Sequence, residues 1–199
     1  DIILLTDGKG NLFQAEIKSE NPKKCAFKII RTNKPEQRNY KIHIAIAPTK
    51  NIARFEWFLE KTTEIGIDEI TPIVCDNSER ETLKHQRLEK ILVSALKQSL
   101  KTYLPKLNEL DNFSNFVTQE FSSEKYIAYI DEKHKLSLKS DYKKGSDVII
   151  LIGPEGDFSE EEVEFAMRKG FKPISLGKSR LRTETAGVVA CHTISLLND

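Results

Sequence analysis

The sequence predicts an α/β protein in which a short all-β segment precedes a parallel sheet with helices on both faces. Three observations support this prediction. Val148–Ile152 is a continuous apolar and β-branched run, typical of a strand buried on both faces. A strand-helix-strand pattern fills residues 41–75, and three short strand patterns precede residue 40.

The first 40 residues contain the three short strand patterns, which lie at residues 2–6, 12–17 and 25–30. The Asp7-Gly8 step favours a hairpin between the first two. Three strands are too few to close a barrel. Residues 31–40 are polar, carry one proline and show no periodicity, which predicts a linker.

The following segment alternates strands and helices. A strand at residues 41–47, a helix at 51–64 ended by Gly66 and a strand at 70–75 imply parallel strands with a right-handed crossover. An amphipathic helix is then predicted at 83–100, a short helix at 112–121, a strand at 125–130 and a polar, mobile segment at 133–144.

Two glycine-containing turns follow the last two predicted strands. Val148–Ile152 stops at Gly153-Pro154-Glu155-Gly156, and a capping box at Ser159 and Glu162 begins a helix that ends near Gly170. The second strand, at residues 171–176, runs into Gly177, and a small-residue helix is predicted at 188–197. Parallel α/β sheets bind ligands at the carboxyl edge, where both turns should lie at the ends of adjacent strands. Taken alone, the first turn is equally well explained as a tight connection without a ligand.

Composition sets the broad class. The 199 residues carry a net charge of only +1, yet residues 9–50 hold ten Lys or Arg against three acids, which predicts a basic face for phosphate contacts. A solvated lysine-rich surface is the alternative. No 18-residue apolar span or signal peptide is apparent, and the start at Asp1 suggests that an N-terminal piece is missing. Three scattered cysteines, Cys25, Cys75 and Cys191, favour a reduced cytoplasmic protein without a metal site.

Two separated motifs carry a resemblance to a known family. IGPEGDFSEEEV and, after it, ISLGKSRLRTETAG resemble the signature of the RsmE family of ribosomal RNA methyltransferases, in the SPOUT (trefoil-knot) superfamily. KTTEIGIDEITPIVCDNSER and Gln98-Ser99 also resemble that family. The resemblance implies a PUA-like β-barrel RNA-binding domain at residues 1–40, with its first strands missing, and a SPOUT methyltransferase domain with a C-terminal trefoil knot at 41–199. It also implies a homodimer.

The resemblance further implies a function. The family transfers a methyl group from S-adenosylmethionine to N3 of a uridine in small-subunit (16S) ribosomal RNA. The implied cofactor-binding residues lie in three segments: Ile130, Glu132, Leu151, Gly153, Pro154, Gly156, Leu176, Gly177, Leu181, Thr183 and Thr185.

Charged residues supply the implied catalytic and RNA-binding groups. Arg182 is expected to neutralise charge on the uracil, and Glu155 to accept its imide proton. The alternative for Arg182 is a salt bridge to Glu184 or to an acid of the partner subunit. The alternative for Glu155 is a carboxylate held by backbone N–H groups at the next helix start. The implied RNA contacts are Lys23, Lys24, Arg31, Arg80, Lys101 and Arg180, although an ion pair of Arg80 with Glu79 or Glu81 is an equal alternative.

Two other functions stay open at this stage. One is a related RNA methyltransferase that acts on another base. The other is a non-catalytic RNA-binding α/β protein, which would not take up S-adenosylmethionine. No catalytic triad is apparent; the four histidines are expected on the surface or in the core, with His192 packed, and Trp57 is expected in the core or at an interface.

Overall fold

The computed structural model describes residues 1–19, 21, 23–129 and 136–199. The chain begins with three antiparallel strands, β1 (Ile2–Thr6), β2 (Leu12–Ser19) and β3 (Ala26–Asn33), in the order β1-β2-β3. The hairpin predicted at Asp7-Gly8 is confirmed, because β1 and β2 pair directly across it. β3 is exposed along its whole length. Arg31, expected at the start of a linker, lies within this strand.

Within the described residues, the second sheet has seven strands, all paired in parallel. They are β4 (Ile42–Ile46), β5 (Glu69–Val74), β6 (Lys106–Leu107), β7 (Asp111–Asn112), β8 (Glu124–Ala128), β9 (Val148–Ile152) and β10 (Lys172–Ile174). Their order is β10-β8-β9-β4-β5-β6, with β7 also paired to β5. The predicted α/β class with a parallel sheet is therefore confirmed.

Helices cover both faces of this sheet. They are α1 (Ile52–Ile65), α2 (His85–Gln98), α3 (Phe113–Val117), α4 (Leu138–Asp141), α5 (Glu160–Arg168) and α6 (Thr183–Asn198). Ile150 of β9 belongs to the core beneath α1, α2 and α6, whereas Leu151 belongs to the core beneath α3 and α5. Every residue of β9 is buried, because successive side chains of a strand point to opposite faces and both are covered here.

Capping residues fix both ends of α1 and the start of α5. Asn51 caps α1 by accepting a hydrogen bond from the Ala53 N–H, and Gly66 ends the helix at a φ of 114°. The predicted capping box of α5 is confirmed: Ser159 Oγ accepts from the Glu162 N–H at 3.2 Å, and a Glu162 carboxylate oxygen accepts from the Ser159 N–H at 2.9 Å. Such a cap is worth about 1 kcal/mol.

Several predicted boundaries were wrong. The helix expected at 112–121 has only five residues, and the segment 133–144, expected to be mobile, contains α4, which buries Leu138. The last helix begins at Thr183 rather than at residue 188. Arg182 before it is extended and makes no side-chain capping hydrogen bond, and Glu184 in the first turn favours the positive end of the helix dipole. Across the described residues, no helix combines the length and apolar character that crossing a bilayer requires.

Candidate functional site

The carboxyl edge of the seven-stranded sheet contains a cavity of about 390 Å³. That volume is in the range of small-molecule sites, roughly 300 to 1,000 Å³. The cavity lies between the turn after β9 and the loop after β10, and the beginnings of α1 and α6 close it. Its lining residues are Arg54, Ala128, Tyr129, Ile152, Gly153, Pro154, Glu155, Asp157, Ile174, Leu176, Gly177, Ser179, Arg180, Leu181, Arg182, Thr183 and Ala186.

The two glycine turns meet at one cavity, but the expectation that they follow adjacent strands was wrong. β8 lies between β9 and β10 and pairs with both. Its last residue, Ala128, and the following Tyr129 therefore form the floor between the turns. The sequence could not show this insertion, because pairing partners are far apart along the chain.

The turn after β9 is compact. Gly153 approaches the segment before α5 so closely that an added Cβ would stand 3.1 Å from Phe158 Cδ2 and 3.2 Å from the Phe158 backbone nitrogen. Pro154 accepts a hydrogen bond from the Asp157 N–H at 3.0 Å, which closes the turn. Asp157 itself has a φ of 65°, a conformation unusual for a residue other than glycine.

Two predicted cofactor residues near this turn do not line the cavity. Leu151 is fully buried in the core beneath α3 and α5. Gly156 is exposed on the other side of the turn, where its carbonyl accepts a hydrogen bond from Asn77 Nδ2 at 3.3 Å. Gly153 and Pro154 do line it.

The loop after β10 leaves the cavity open at Gly177. This residue has a φ of 144°, and a Cβ added there would have nothing within 4 Å. Ser175 Oγ donates to the Gly177 carbonyl at 2.8 Å and accepts from its N–H at 3.2 Å, so the open turn is fixed locally. Leu176, Leu181 and Thr183 line the cavity beside Gly177, whereas Thr185 does not. Ile130 and Glu132 lie outside the described residues.

Arg182 and Arg180 both line the cavity and are exposed. Arg182 is the residue before α6, and Arg180 lies close enough to Asp157 to affect its ionisation. Burial raises the pKa of Asp157, while the Phe158 N–H and the positive charge of Arg180 act to lower it.

Glu155 also lines the cavity, but its contact differs from the one predicted. One carboxylate oxygen accepts a hydrogen bond from the Lys50 N–H at 3.0 Å. The alternative that N–H groups of the following helix hold this carboxylate was wrong, because Glu162 takes that position in the capping box. Glu155 therefore links the turn after β9 to the segment before α1.

Arg54 and Glu184 are the pair that sequence reasoning missed. Arg54 lies in the first turn of α1 and lines the cavity, and its Nε is 3.8 Å from Glu184 Oε1. Glu184 is 6% exposed, and its Oε2 is buried without a hydrogen-bond partner among the described residues. A salt bridge between Glu184 and Arg182, a structural alternative for Arg182, is not formed. The available signal was an arginine in the first turn of a helix that follows a parallel strand.

The predicted RNA contacts are scattered. Lys23 and Lys24 are exposed between β2 and β3, and Arg31 is exposed on β3. Lys101 follows α2 near Gly66, at the end of α1 opposite to the cavity. Arg180 alone of the six is in the cavity.

Arg80 is bound to the backbone rather than free for RNA or for an acidic neighbour. Its Nε donates to the Thr49 carbonyl at 3.0 Å, and its Nη2 donates to the Lys50 carbonyl at 2.6 Å. The predicted ion pair with Glu79 was wrong, because Glu79 pairs with Lys50 at 2.6 Å. Arg80 thus fixes the segment to which Glu155 also binds.

Other reactive side chains lie elsewhere. Burial raises the pKa of the Cys191 thiol to about 12 and also raises that of Cys75, so neither is a ready nucleophile. No group of three potential metal ligands occurs within the described ranges. Trp57 is 42% exposed and so lies outside the core, and His192, expected to be packed, is exposed.

Comparison with known proteins gives the class and then the family. A family model described as an RNA methyltransferase domain matches residues 35–195, which include every residue of the cavity. Ribosomal RNA small subunit methyltransferase E of Mesomycoplasma hyopneumoniae is 30% identical over 178 residues, covering 86% of this chain and 75% of that protein.

Two solved structures give the same result. A probable rRNA methyltransferase from Porphyromonas gingivalis has 45% identity and a TM-score of 0.92, covering 100% of this chain and 85% of its own. A ribosomal RNA small subunit methyltransferase E from Neisseria gonorrhoeae, bound to S-adenosyl methionine, has 26% identity and a TM-score of 0.90, with 100% and 84% coverage. This chain belongs to the family of ribosomal RNA small subunit methyltransferase E, as the two sequence motifs predicted.

Proposed function

We propose that this protein transfers a methyl group from S-adenosylmethionine to N3 of a uridine in small-subunit ribosomal RNA. The observation that carries the proposal is the cavity at the carboxyl edge, in which two glycine turns meet three arginines, Arg54, Arg180 and Arg182. The cofactor bound by the Neisseria relative and the substrate named in the curated relatives support it.

The residues present fit the cofactor. Gly177 has no neighbour within 4 Å of an added Cβ, so its backbone is open to a ligand that a larger side chain would obstruct. Leu176 and Leu181 supply apolar surface to the cavity. Pro154, in the turn after β9, also lines it and has no backbone N–H group. When bound, S-adenosylmethionine supplies a methyl group on a sulfonium, which is already a good leaving group.

The protein's contribution is then to bind, align and exclude water. A uracil N3 atom becomes nucleophilic when its imide proton leaves, and negative charge spreads to the neighbouring carbonyl oxygens. Arg182, exposed beside the cavity, is placed to stabilise that charge. Glu155, beside the same cavity, is the proposed proton acceptor, since its carboxylate has two oxygens and the Lys50 N–H binds one of them.

The two sheets support a proposal of two domains, at residues 1–40 and 41–199. No strand of one sheet pairs with a strand of the other in the described chain. They meet where the Gly10 N–H donates to the Thr102 carbonyl at 2.9 Å and the Leu104 N–H donates to the Gly8 carbonyl at 2.8 Å. We interpret the first sheet as part of a PUA-like barrel that holds RNA through its exposed β3.

A trefoil knot is proposed for the C-terminal segment. After β10 the chain passes beside Ser137, which bridges to Ser175, and α6 then packs against α4 and α1. The C-terminal helix thus runs past a segment placed earlier in the chain. The experiment is to stretch the unfolded chain from both ends. If the knot is present, the end-to-end length should stay below the full contour length of the chain, because the tightened knot holds some residues.

A homodimer is proposed through α1 and α6. Trp57 is 42% exposed on α1 and Leu196 is 62% exposed on α6, and exposed aromatic and aliphatic side chains favour an interface. Light scattering should give twice the mass of 22.7 kDa. We also propose a cytoplasmic location, and the proposed ribosomal RNA substrate is the ground for it.

The deciding experiment uses the protein with cofactor labelled in its methyl group. Unmodified 16S ribosomal RNA and assembled small subunits are offered separately, and the products are digested to nucleosides. Label in 3-methyluridine is the expected result. Label in another nucleoside would indicate a related RNA methyltransferase, and failure to bind S-adenosylmethionine would leave a non-catalytic RNA-binding protein.

A further inference from the structure

Arg54 enters the cavity from a helix that neither glycine turn belongs to. Its side chain is 40% exposed, and it lines the cavity from the first turn of α1. A guanidinium offers five N–H donors. Within the described parts of the chain, its one ion pair within 4 Å is with Glu184, whose Oε1 lies 3.8 Å from Arg54 Nε, a distance too long for a hydrogen bond. Most of its donors are therefore available to a ligand.

Glu184 is the unusual member of the pair. Its side chain is 7% exposed, and Oε2 has no hydrogen-bond partner among the described residues. A buried carboxylate oxygen without a partner is unfavourable, because it has lost its hydrogen bonds to water without gaining others. A positioning role would account for this buried carboxylate: Glu184 would hold the Arg54 guanidinium toward the cavity, and the distance between the two side chains would shorten when a ligand binds.

The charge around the cavity favours an anionic ligand group. Besides Arg54, the lining contains Arg180 and Arg182, against the two carboxyl groups of Glu155 and Asp157. One Glu155 oxygen already accepts a hydrogen bond from the Lys50 N–H, and Asp157 lies close to Arg180, so both acids have partners of their own. The planar guanidinium fits carboxylate and phosphate oxygens with two parallel hydrogen bonds.

We propose that Arg54 binds an anionic oxygen of a ligand in this cavity and that Glu184 is the positioning residue for Arg54. The inference rests on the proposed function, which supplies two sources of such an oxygen. One is the carboxylate of the methionine portion of S-adenosylmethionine. The other is a phosphate beside the target uridine in RNA. Both offer the same geometry to the guanidinium.

Calorimetry on Arg54→Gln separates the two sources. If Arg54 binds the cofactor carboxylate, affinity for S-adenosylmethionine falls about ten- to a hundredfold, the usual loss of a charged hydrogen bond. Affinity for 5′-methylthioadenosine, which lacks that carboxylate, then stays the same. If Arg54 binds phosphate, the affinities for S-adenosylmethionine and for 5′-methylthioadenosine both stay the same. The slope of log K against log salt for RNA binding then falls by roughly 0.7 to 0.9.

Arg87→Gln is the matched control. Arg87 is an exposed arginine on α2 whose Nε lies 2.6 Å from Glu56 of α1, outside the cavity. The Arg87→Gln substitution should leave the affinities for S-adenosylmethionine and for 5′-methylthioadenosine unchanged. Normal cofactor affinity together with an unchanged salt slope in Arg54→Gln would overturn the role of Arg54.

Glu184→Gln tests the positioning role, because it keeps the side-chain shape and removes the charge. It should reproduce the loss seen in Arg54→Gln on the same measurement, and the double variant should lose little more. Additive losses, or a lower melting temperature with normal binding, would overturn the positioning role. Should Arg54→Gln fail to fold, Arg54→Lys serves instead, since it keeps the charge and removes the paired donors. A wild-type protein that binds no S-adenosylmethionine would reject the proposed function itself, independently of these variants.

Discussion

Gly187 of α6 lies directly against Phe58 of α1: a Cβ added to the glycine would stand 2.5 Å from Phe58 Cε2. The same Cβ would be 3.1 Å from Ile46 Cδ1 of β4. Phe58 and Ile46 are fully buried, so neither can move aside. The helix that begins at the cavity can therefore pack on α1 and on the sheet only because residue 187 has no side chain.

Gly187→Ala should consequently destabilise the protein. Overpacking a rigid core costs about 1 to 3 kcal/mol, and this exceeds the roughly 1 kcal/mol that alanine gains over glycine inside a helix. Urea unfolding followed by circular dichroism measures the difference. In a Phe58→Leu background the same substitution should be better tolerated. An alanine variant as stable as the wild type would contradict the packing argument.

Gly177→Val should weaken cofactor binding without unfolding the protein. Valine at a φ of 144° is strained, and its side chain would enter the open space that Gly177 leaves beside the cavity. We expect at least about a tenfold loss of S-adenosylmethionine affinity in calorimetry, equivalent to about 1.4 kcal/mol. Gly145→Val is the control, because Gly145 has a φ of 83° and does not line the cavity. Unchanged affinity in folded Gly177→Val would remove this turn from the cofactor site.

Arg182→Lys should lower the single-turnover methylation rate while cofactor affinity stays nearly the same. Losing a contact to charge that develops in the transition state costs about 3 kcal/mol, on the order of a hundredfold in rate. The melting temperature should not change, because Glu184 pairs with Arg54 rather than with Arg182. Arg168→Lys, on the exposed face of α5, is the matched control. A normal rate at saturating RNA and cofactor would show that Arg182 is not catalytic.

Reversing the charge of Lys23, Lys24 and Lys28 should reduce the salt dependence of RNA binding. All three are exposed on the first sheet or in its turn. Each phosphate contact that is removed lowers the slope of log K against log salt by roughly 0.7 to 0.9. Lys139, Lys143 and Lys144, which are exposed outside that sheet, form a control set of the same size. An equal slope in both triple variants would place the RNA elsewhere.

His43 should make stability depend on pH between about 4 and 6.5. Burial lowers the pKa of its imidazole from 6.5 to about 4, an effect that nearby Glu69 opposes and Lys106 reinforces. Between these values the unfolded chain binds a proton that the folded chain does not, so the stabilisation is complete above pH 6.5 and is lost as the pH falls.

The expected loss between pH 7.5 and pH 5 is about 2 kcal/mol. Urea unfolding at the two pH values measures it, and His43→Gln should remove that part of the difference. His192→Gln, at an exposed histidine, should leave it in place. Equal pH dependence in wild type and His43→Gln would show that the imidazole ionises alike in both states.

Local signals in the sequence predicted much of the fold. The apolar run of β9, the S-x-x-E cap of α5 and the glycine after α1 act through neighbouring residues, and the structure confirms each. The family was likewise predicted from the two motifs. The predicted ends of the helix at 112–121 and the predicted start of the last helix were less accurate. Short polar stretches are compatible both with a loop and with the first turn of a helix.

The parts of the site that were missed depend on contacts between distant segments. Arg54 and Glu184 are separated by most of the chain, and neither belongs to a motif that fixes a distance between them. Arg80 looked free in the sequence because its partners are backbone carbonyls, which every residue possesses. Gly156 belongs to the first motif, yet the turn directs it toward Asn77 and away from the cavity. Whether the lining residues bind the cofactor stays a prediction.

The pairing of β4 with β9 also constrains how the protein can form. At the start of these neighbouring strands the Lys41 N–H binds Asp147, a residue 106 positions later in the chain. At about 5 to 20 residues per second of synthesis, β4 would wait at least several seconds for its central partner to leave the ribosome. β4 can meanwhile pair with β5, but one edge of β4 stays open, and an open edge recruits other strands. The nascent chain is therefore most prone to aggregate while its first half is made and its second is not.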